Sequence, residues 1–108
     1  MNSREKGKRG ERLWRDVLRE HGLIARRGQQ HSGSPDSPDV ICEQLKGIHF
    51  EVKFVEKLNI HSAMSQAEGD CGTKSPVVAH KRKRGEWLVT MKAEDFIAMA
   101  KRDAFRGE

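Results

Sequence analysis

The stretch Pro38-Asp39-Val40-Ile41-Cys42-Glu43-Gln44-Leu45-Lys46-Gly47-Ile48-His49-Phe50-Glu51-Val52-Lys53-Phe54-Val55 decides the fold. Asp39 to Gln44 and Ile48 to Val55 read as two strands joined by a turn at Lys46-Gly47. Side chains alternate across a strand, so Phe50, Val52 and Phe54 share one face and Glu51, Lys53 and Val55 the other. Apolar residues on both faces mark a central strand. The Glu-x-Lys pattern is common as an exposed ion pair, but here it falls on a half-buried face, where ionic groups need a reason to be.

Outward from this stretch the periodicity changes. Upstream, the helical spacing of Leu13, Trp14, Val17, Leu18 and His21 predicts a first helix over 5–21, stopped by Gly22. Leu23 to Ala25 is a short extended run ended by Arg26-Arg27-Gly28. Residues 28–38, rich in Gly, Ser, Pro and Gln, read as a loop. Downstream, Ile60, Ala63, Met64, Ala67 and Cys71 stripe a second helix over 59–71, with Ser62 and Gln66 off the stripe, beside the strand that carries Lys53. Pro76 opens a strand through Lys81, a basic run turns the chain, and Glu86 to Met91 forms another strand. A last helix near 93–102 carries Phe96, Ile97 and Ala100 on one face, and Trp14 and Trp87 are expected in the core. The order α-β-β-β-α-β-β-α predicts an α/β fold with a mixed central sheet flanked by helices.

The chain has 108 residues, 35% hydrophobic and 34% charged, which fits a single domain over 1–108 with a modest core. Lys and Arg number 21 against 16 Asp and Glu, a net charge of +5 that suits a phosphate-binding surface. Cys42 and Cys71 lack CxxC spacing and are expected inside elements as small apolar residues; the five His are not paired at zinc-ligand spacing. No apolar run has membrane-spanning length and no signal peptide is visible, so an intracellular protein, cytoplasmic or nucleoid-associated, is expected.

Asp39 opens one strand and Glu51 lies twelve positions later on its partner. Neighbouring strands are about 5 Å apart, so the two carboxylates can converge on one ion. Hard oxygen ligands of this kind suit Mg²⁺ or Mn²⁺, which acidify water and offset charge developing on a phosphate. Lys53, on the same face as Glu51, can orient or help deprotonate the attacking water, and the backbone carbonyl of Val52 is available as a further metal ligand. Glu11 falls on the inward face of the first helix, three residues before Trp14. It either completes the carboxylate site or favours the helix N-terminus through the dipole. Arg26, Arg27 and the run Lys81-Arg82-Lys83-Arg84 are candidate contacts to a DNA backbone, the run being equally a solubilising hairpin tip. Without Tyr or an aromatic run, recognition by shape and charge is expected over base readout.

From Lys6 to about Met91 the chain resembles the PD-(D/E)XK nucleases, and among them the archaeal-type Holliday junction resolvases. The resemblance is carried by Lys6-Gly7 with Glu11-Arg12, by the loop His31-Ser32-Gly33-Ser34, by Asp39, Glu51 and Lys53, and by Pro76-Val77-Val78-Ala79 with Glu86-Trp87. It implies a restriction-endonuclease-like sheet and a metal-dependent endonuclease using Mg²⁺ or Mn²⁺. In that scheme Asp39 and Glu51 bind metal, Lys53 is the catalytic lysine and Glu11 belongs to the site. A loop serine, Ser32 in preference to Ser34, assists near the scissile phosphate. Pro35-Asp36 competes with Pro38-Asp39, but only Asp39 leads into an apolar strand. The resemblance further implies a homodimer acting on branched DNA, Holliday junctions first. A nicking, flap or duplex nuclease with the same core is the enzymatic alternative, and a catalytically silent DNA-binding module the alternative of another class.

Overall fold

The computed structural model describes residues 3–28 and 38–106. Its elements are helix α1 (Ser3–Glu20), strands β1 (Ala25–Arg27), β2 (Val40–Cys42) and β3 (Ile48–Phe54), helix α2 (Ile60–Asp70), strands β4 (Ser75–Lys81) and β5 (Leu88–Met91), and helix α3 (Ala93–Ala104). The five strands form one sheet in the order β1-β2-β3-β4-β5. Only β3 and β4 run parallel, with α2 as their crossover; every other pair is antiparallel. This is the mixed, helix-flanked α/β sheet expected from the sequence.

Several boundaries moved for identifiable reasons. The first strand comprises residues 25–27 rather than 23–25, because it pairs in register with β2 (Ala25 with Cys42, Arg27 with Val40), which leaves Ile24 exposed. The link between β2 and β3 contains the expected turn at Lys46-Gly47, preceded by a 3-10 turn over Glu43–Leu45 that shortens β2 to Val40–Cys42. Cys42 is buried as expected, but Cys71 caps the C-terminus of α2 and is only partly covered. His21 lies beyond the helix end and is exposed.

The pleat of β3 gives the sheet its two faces. Phe50 and Val52 join Trp14, Leu18, Val40, Val77 and Ala79 in the main core beneath α1, where the Trp14 ring packs 5.6 Å from Phe50 and 5.1 Å from Trp87. On the opposite face, Ala63 and Ala67 of α2 pack on Val78. Small side chains there let α2 lie close to the sheet, beside the face that carries Glu51 and Lys53.

Helix α1 also approaches β3 closely. A Cβ on Gly10 would stand 2.8 Å from the Phe54 Cβ, nearer than such atoms sit in practice. Gly10→Ala must therefore push α1 off the strand, and thermal melting should show a loss of roughly 1–3 kcal/mol. An unchanged melt would mean that α1 is less firmly seated than this contact requires.

Candidate active site

Asp39, immediately before β2, and Glu51, on the adjacent strand β3, are both buried, at 8% and 5% exposure. Strand pairing explains their meeting. Asp39 N–H donates to the Phe50 carbonyl (2.9 Å), and Val40 pairs with Phe50 at the start of the β2–β3 ladder. Asp39 Oδ2 accepts the Val52 N–H at 2.8 Å, which locks the carboxylate against the strand carrying Glu51 and Lys53.

At this proximity and burial the Glu51 charge opposes ionisation of Asp39, whereas a hydrogen bond from Asp39 favours the charge on Glu51. Burial, then the Glu51 charge, pushes the Asp39 pKa from 3.8 up to about 7; Glu11 adds in the same direction, while the Val52 N–H opposes. Glu51 is also raised, chiefly by burial, with Lys53 pulling it down and Asp70 pushing it up. A buried pair that resists its own negative charge is a donor set to which a hard divalent cation is complementary. Asp39 and Glu51 therefore fit Mg²⁺ or Mn²⁺, although no group of three or more His, Cys, Asp or Glu converges as a metal site among the described residues.

Lys53 Nζ lies 3.6 Å from Glu51 Oε2 and donates to Gln66 Oε1 at 3.1 Å. Helix α2 runs back along β3, so Gln66 meets Lys53 while Asp70, one turn further, bears on Glu51. The i, i+4 spacing of Gln66 and Asp70 on the polar side of α2 is a signal in the sequence for both residues, although only Gln66 stands among the candidates read from it.

The remaining candidates are distributed around this centre. Glu11 is half-buried and its charge reaches Asp39, but its carboxylate is bound by Arg27 (Oε1 3.0 Å from both Nε and Nη2). Arg26 pairs with Glu43 at 2.7 Å on the surface. Lys81 closes β4, with Arg82, Lys83 and Arg84 exposed in the following turn, where the Lys83 N–H donates to Glu56 Oε2 at 2.6 Å. Ser32, Ser34 and the competing Asp36 lie outside the described residues.

Comparisons with known proteins bear on the fold and the family. No protein-family model matches the chain. Protein D14 of Escherichia phage T5 is 32% identical over 120 residues, covering 88% of this chain and 74% of that protein. Among solved structures, Hjc of Archaeoglobus fulgidus, a Holliday junction resolvase from an archaeal hyperthermophile, superposes with a TM-score of 0.57 at 25% identity, covering 79% of this chain and 76% of that one.

Proposed function

Because the chain belongs to the PD-(D/E)XK nuclease superfamily, as a member akin to the archaeal-type Holliday junction resolvases, we propose that it hydrolyses DNA phosphodiesters at four-way or other branched junctions. The supporting observation is the buried pair Asp39 and Glu51 with the Lys53 ammonium 3.6 Å from Glu51. Asp39, Glu51 and the Val52 carbonyl would hold Mg²⁺ or Mn²⁺. Such an ion supplies Lewis acidity toward the phosphate and the attacking water. Lys53, steadied by Gln66, orients that water and donates to the phosphate oxygens as charge builds on them. Glu11 is the third carboxylate of the site, available when Arg27 turns from it to a DNA phosphate. Ser32 assists near the scissile phosphate and Ser34 contacts DNA, while Arg26 and the Lys81–Arg84 run bind the backbone without reading bases.

The test is cleavage of a labelled four-way junction beside matched duplex, flap and single-strand controls, in Mg²⁺, Mn²⁺ and EDTA. Paired metal-dependent nicks near the branch point are expected. Preferential cutting of flap or duplex would keep the active site and replace the substrate. Tight binding without cutting in either metal would replace the enzyme by a DNA-binding module.

Paired nicks require two active sites, and we assign the second to another copy of the chain. Helix α3 has no buried residue, and Phe96, Ile97 and Met99 on it, Phe105 after it, and Leu88 and Val89 on edge strand β5 are all exposed. The first turn of α3 is acidic (Glu94, Asp95) and its last turn basic (Lys101, Arg102). Two α3 helices lying antiparallel across a two-fold axis would match these ends while covering the apolar side chains. Sedimentation should give a dimer for the wild type and a monomer for Ile97→Glu; a monomeric wild type would refute the pairing.

A further inference from the structure

We infer that Lys6, Arg9 and Lys81 form a second phosphate-binding site, on the face of the sheet opposite Lys53, which holds the DNA backbone beside the bond to be cut. This rests on the DNA-cleaving function proposed above and adds to it a subsite built from helix α1. The three cationic groups gather around one ring. Lys6 Nζ, the Arg9 guanidinium and Lys81 Nζ stand 5.7, 5.7 and 5.9 Å from the centroid of Phe54. Phe54 itself is buried, at 7% exposure.

The placement follows from the backbone. Lys6 and Arg9 are three apart on α1 and so share a face, and Gly10 brings that helix onto β3 closely enough to set both over Phe54. Lys81 is the register partner of Phe54 across the parallel β3–β4 pair and so projects from the same face of the sheet. Its ammonium is held by the carbonyls of Arg82 and Lys83 at 3.1 and 3.2 Å.

The ion pairs at Arg15, Arg26, Arg27 and Lys53 leave this charge unneutralised. An aromatic face attracts a cation, but gathering three at one ring opposes their mutual repulsion unless an anion neutralises them. A phosphodiester is the anion the neighbourhood supplies. Lys53 precedes Phe54 on the strand and projects from the other face, so the two sites flank the C-terminal end of β3. Their separation is on the order of 10 Å, the thickness of a sheet layer.

The experiment is fluorescence anisotropy of a labelled four-way junction and a labelled duplex in EDTA across a salt series. It compares wild type, Lys6→Ala/Arg9→Ala, and the charge-matched control Lys46→Ala/Lys74→Ala, whose exposed lysines precede the N-terminal ends of β3 and β4. Two lost phosphate contacts should weaken binding of the first double variant roughly ten-fold at moderate salt and lower the log–log salt slope by about 2. The control should keep the wild-type slope, and Arg9→Lys should retain most of the affinity. Because the slope counts displaced counterions, a partly unfolded sample, seen as lost cooperativity in melting, is told apart from a lost contact; Lys6→Gln/Arg9→Gln then replaces it. Equal affinity and slope for wild type and the Lys6/Arg9 variants would overturn the subsite and leave the nuclease reading intact. Failure of the wild type to bind either DNA would overturn both.

Discussion

Lys53→Ala is expected to lower the cleavage rate by about 10²–10⁴-fold while leaving junction affinity within a few-fold of wild type. The ammonium lies 3.6 Å from Glu51 and is aimed by Gln66 at 3.1 Å, so its removal leaves the carboxylate pair in place and deletes the group positioned for the water and the phosphate. Gln66 acts only through that ammonium. Gln66→Ala should therefore cost less, roughly ten-fold in kcat with KM unchanged, in line with losses seen when supporting groups around a reactive centre are removed. Glu51→Gln should match Lys53→Ala in rate and differ in its metal response, because raising Mn²⁺ would restore some activity to a weakened ligand set but none to a missing lysine. Single-turnover cleavage with saturating enzyme separates these cases. Equal losses for Gln66→Ala and Lys53→Ala would mean that Gln66 touches the DNA itself.

Much of this arrangement was legible in the chain because strand pleating is a period-two signal that does not depend on tertiary context. Phe50, Val52 and Phe54 on one face forced Glu51 and Lys53 onto the other, and the apolar run after Asp39 separated it from Asp36. Element ends were less legible. The shift of the first strand to Ala25–Arg27 is set by pairing with β2, a long-range choice that local pattern does not encode. Cys71 was placed inside a helix by its spacing, whereas the α2 stripe gives out one turn earlier, at Ala67, and the helix itself ends at Asp70. Asp70 went unnoticed because an acidic residue near a helix end has an ordinary surface explanation, and only the packing of α2 along β3 brings its charge to Glu51. The Arg27–Glu11 pair was hidden for the same reason, since sixteen residues and a change of element separate the partners.

Asp39→Asn should make the metal-free protein more stable at pH 8 while abolishing cleavage. Burial and the Glu51 charge raise the Asp39 pKa from 3.8 to about 7. Between those two pH values the folded protein holds a proton that the unfolded chain has released, so stability falls as pH rises through that window and is lowest above it. The displacement corresponds to at most about 4 kcal/mol at alkaline pH. An Asn amide removes the charge without losing the fold's hydrogen bond, because its carbonyl oxygen can still accept the Val52 N–H that now reaches Asp39 Oδ2 at 2.8 Å. Its NH₂ can donate to Glu51, turning repulsion into attraction. In EDTA at pH 8 the variant should melt higher than wild type by roughly 5–10 °C, the shift that 1–2 kcal/mol produces in a domain of about 100 residues. The advantage should disappear only well below pH 3.8, where Asp39 is protonated in both states. Adding Mg²⁺ at pH 8 should raise the melting temperature of wild type far more than that of the variant, since a ligand that binds only the folded state stabilises it by mass action. A variant that melts below wild type at pH 8 in EDTA would show that Asp39 is not held against its charge, and with it would go the argument that this pair is built for a cation.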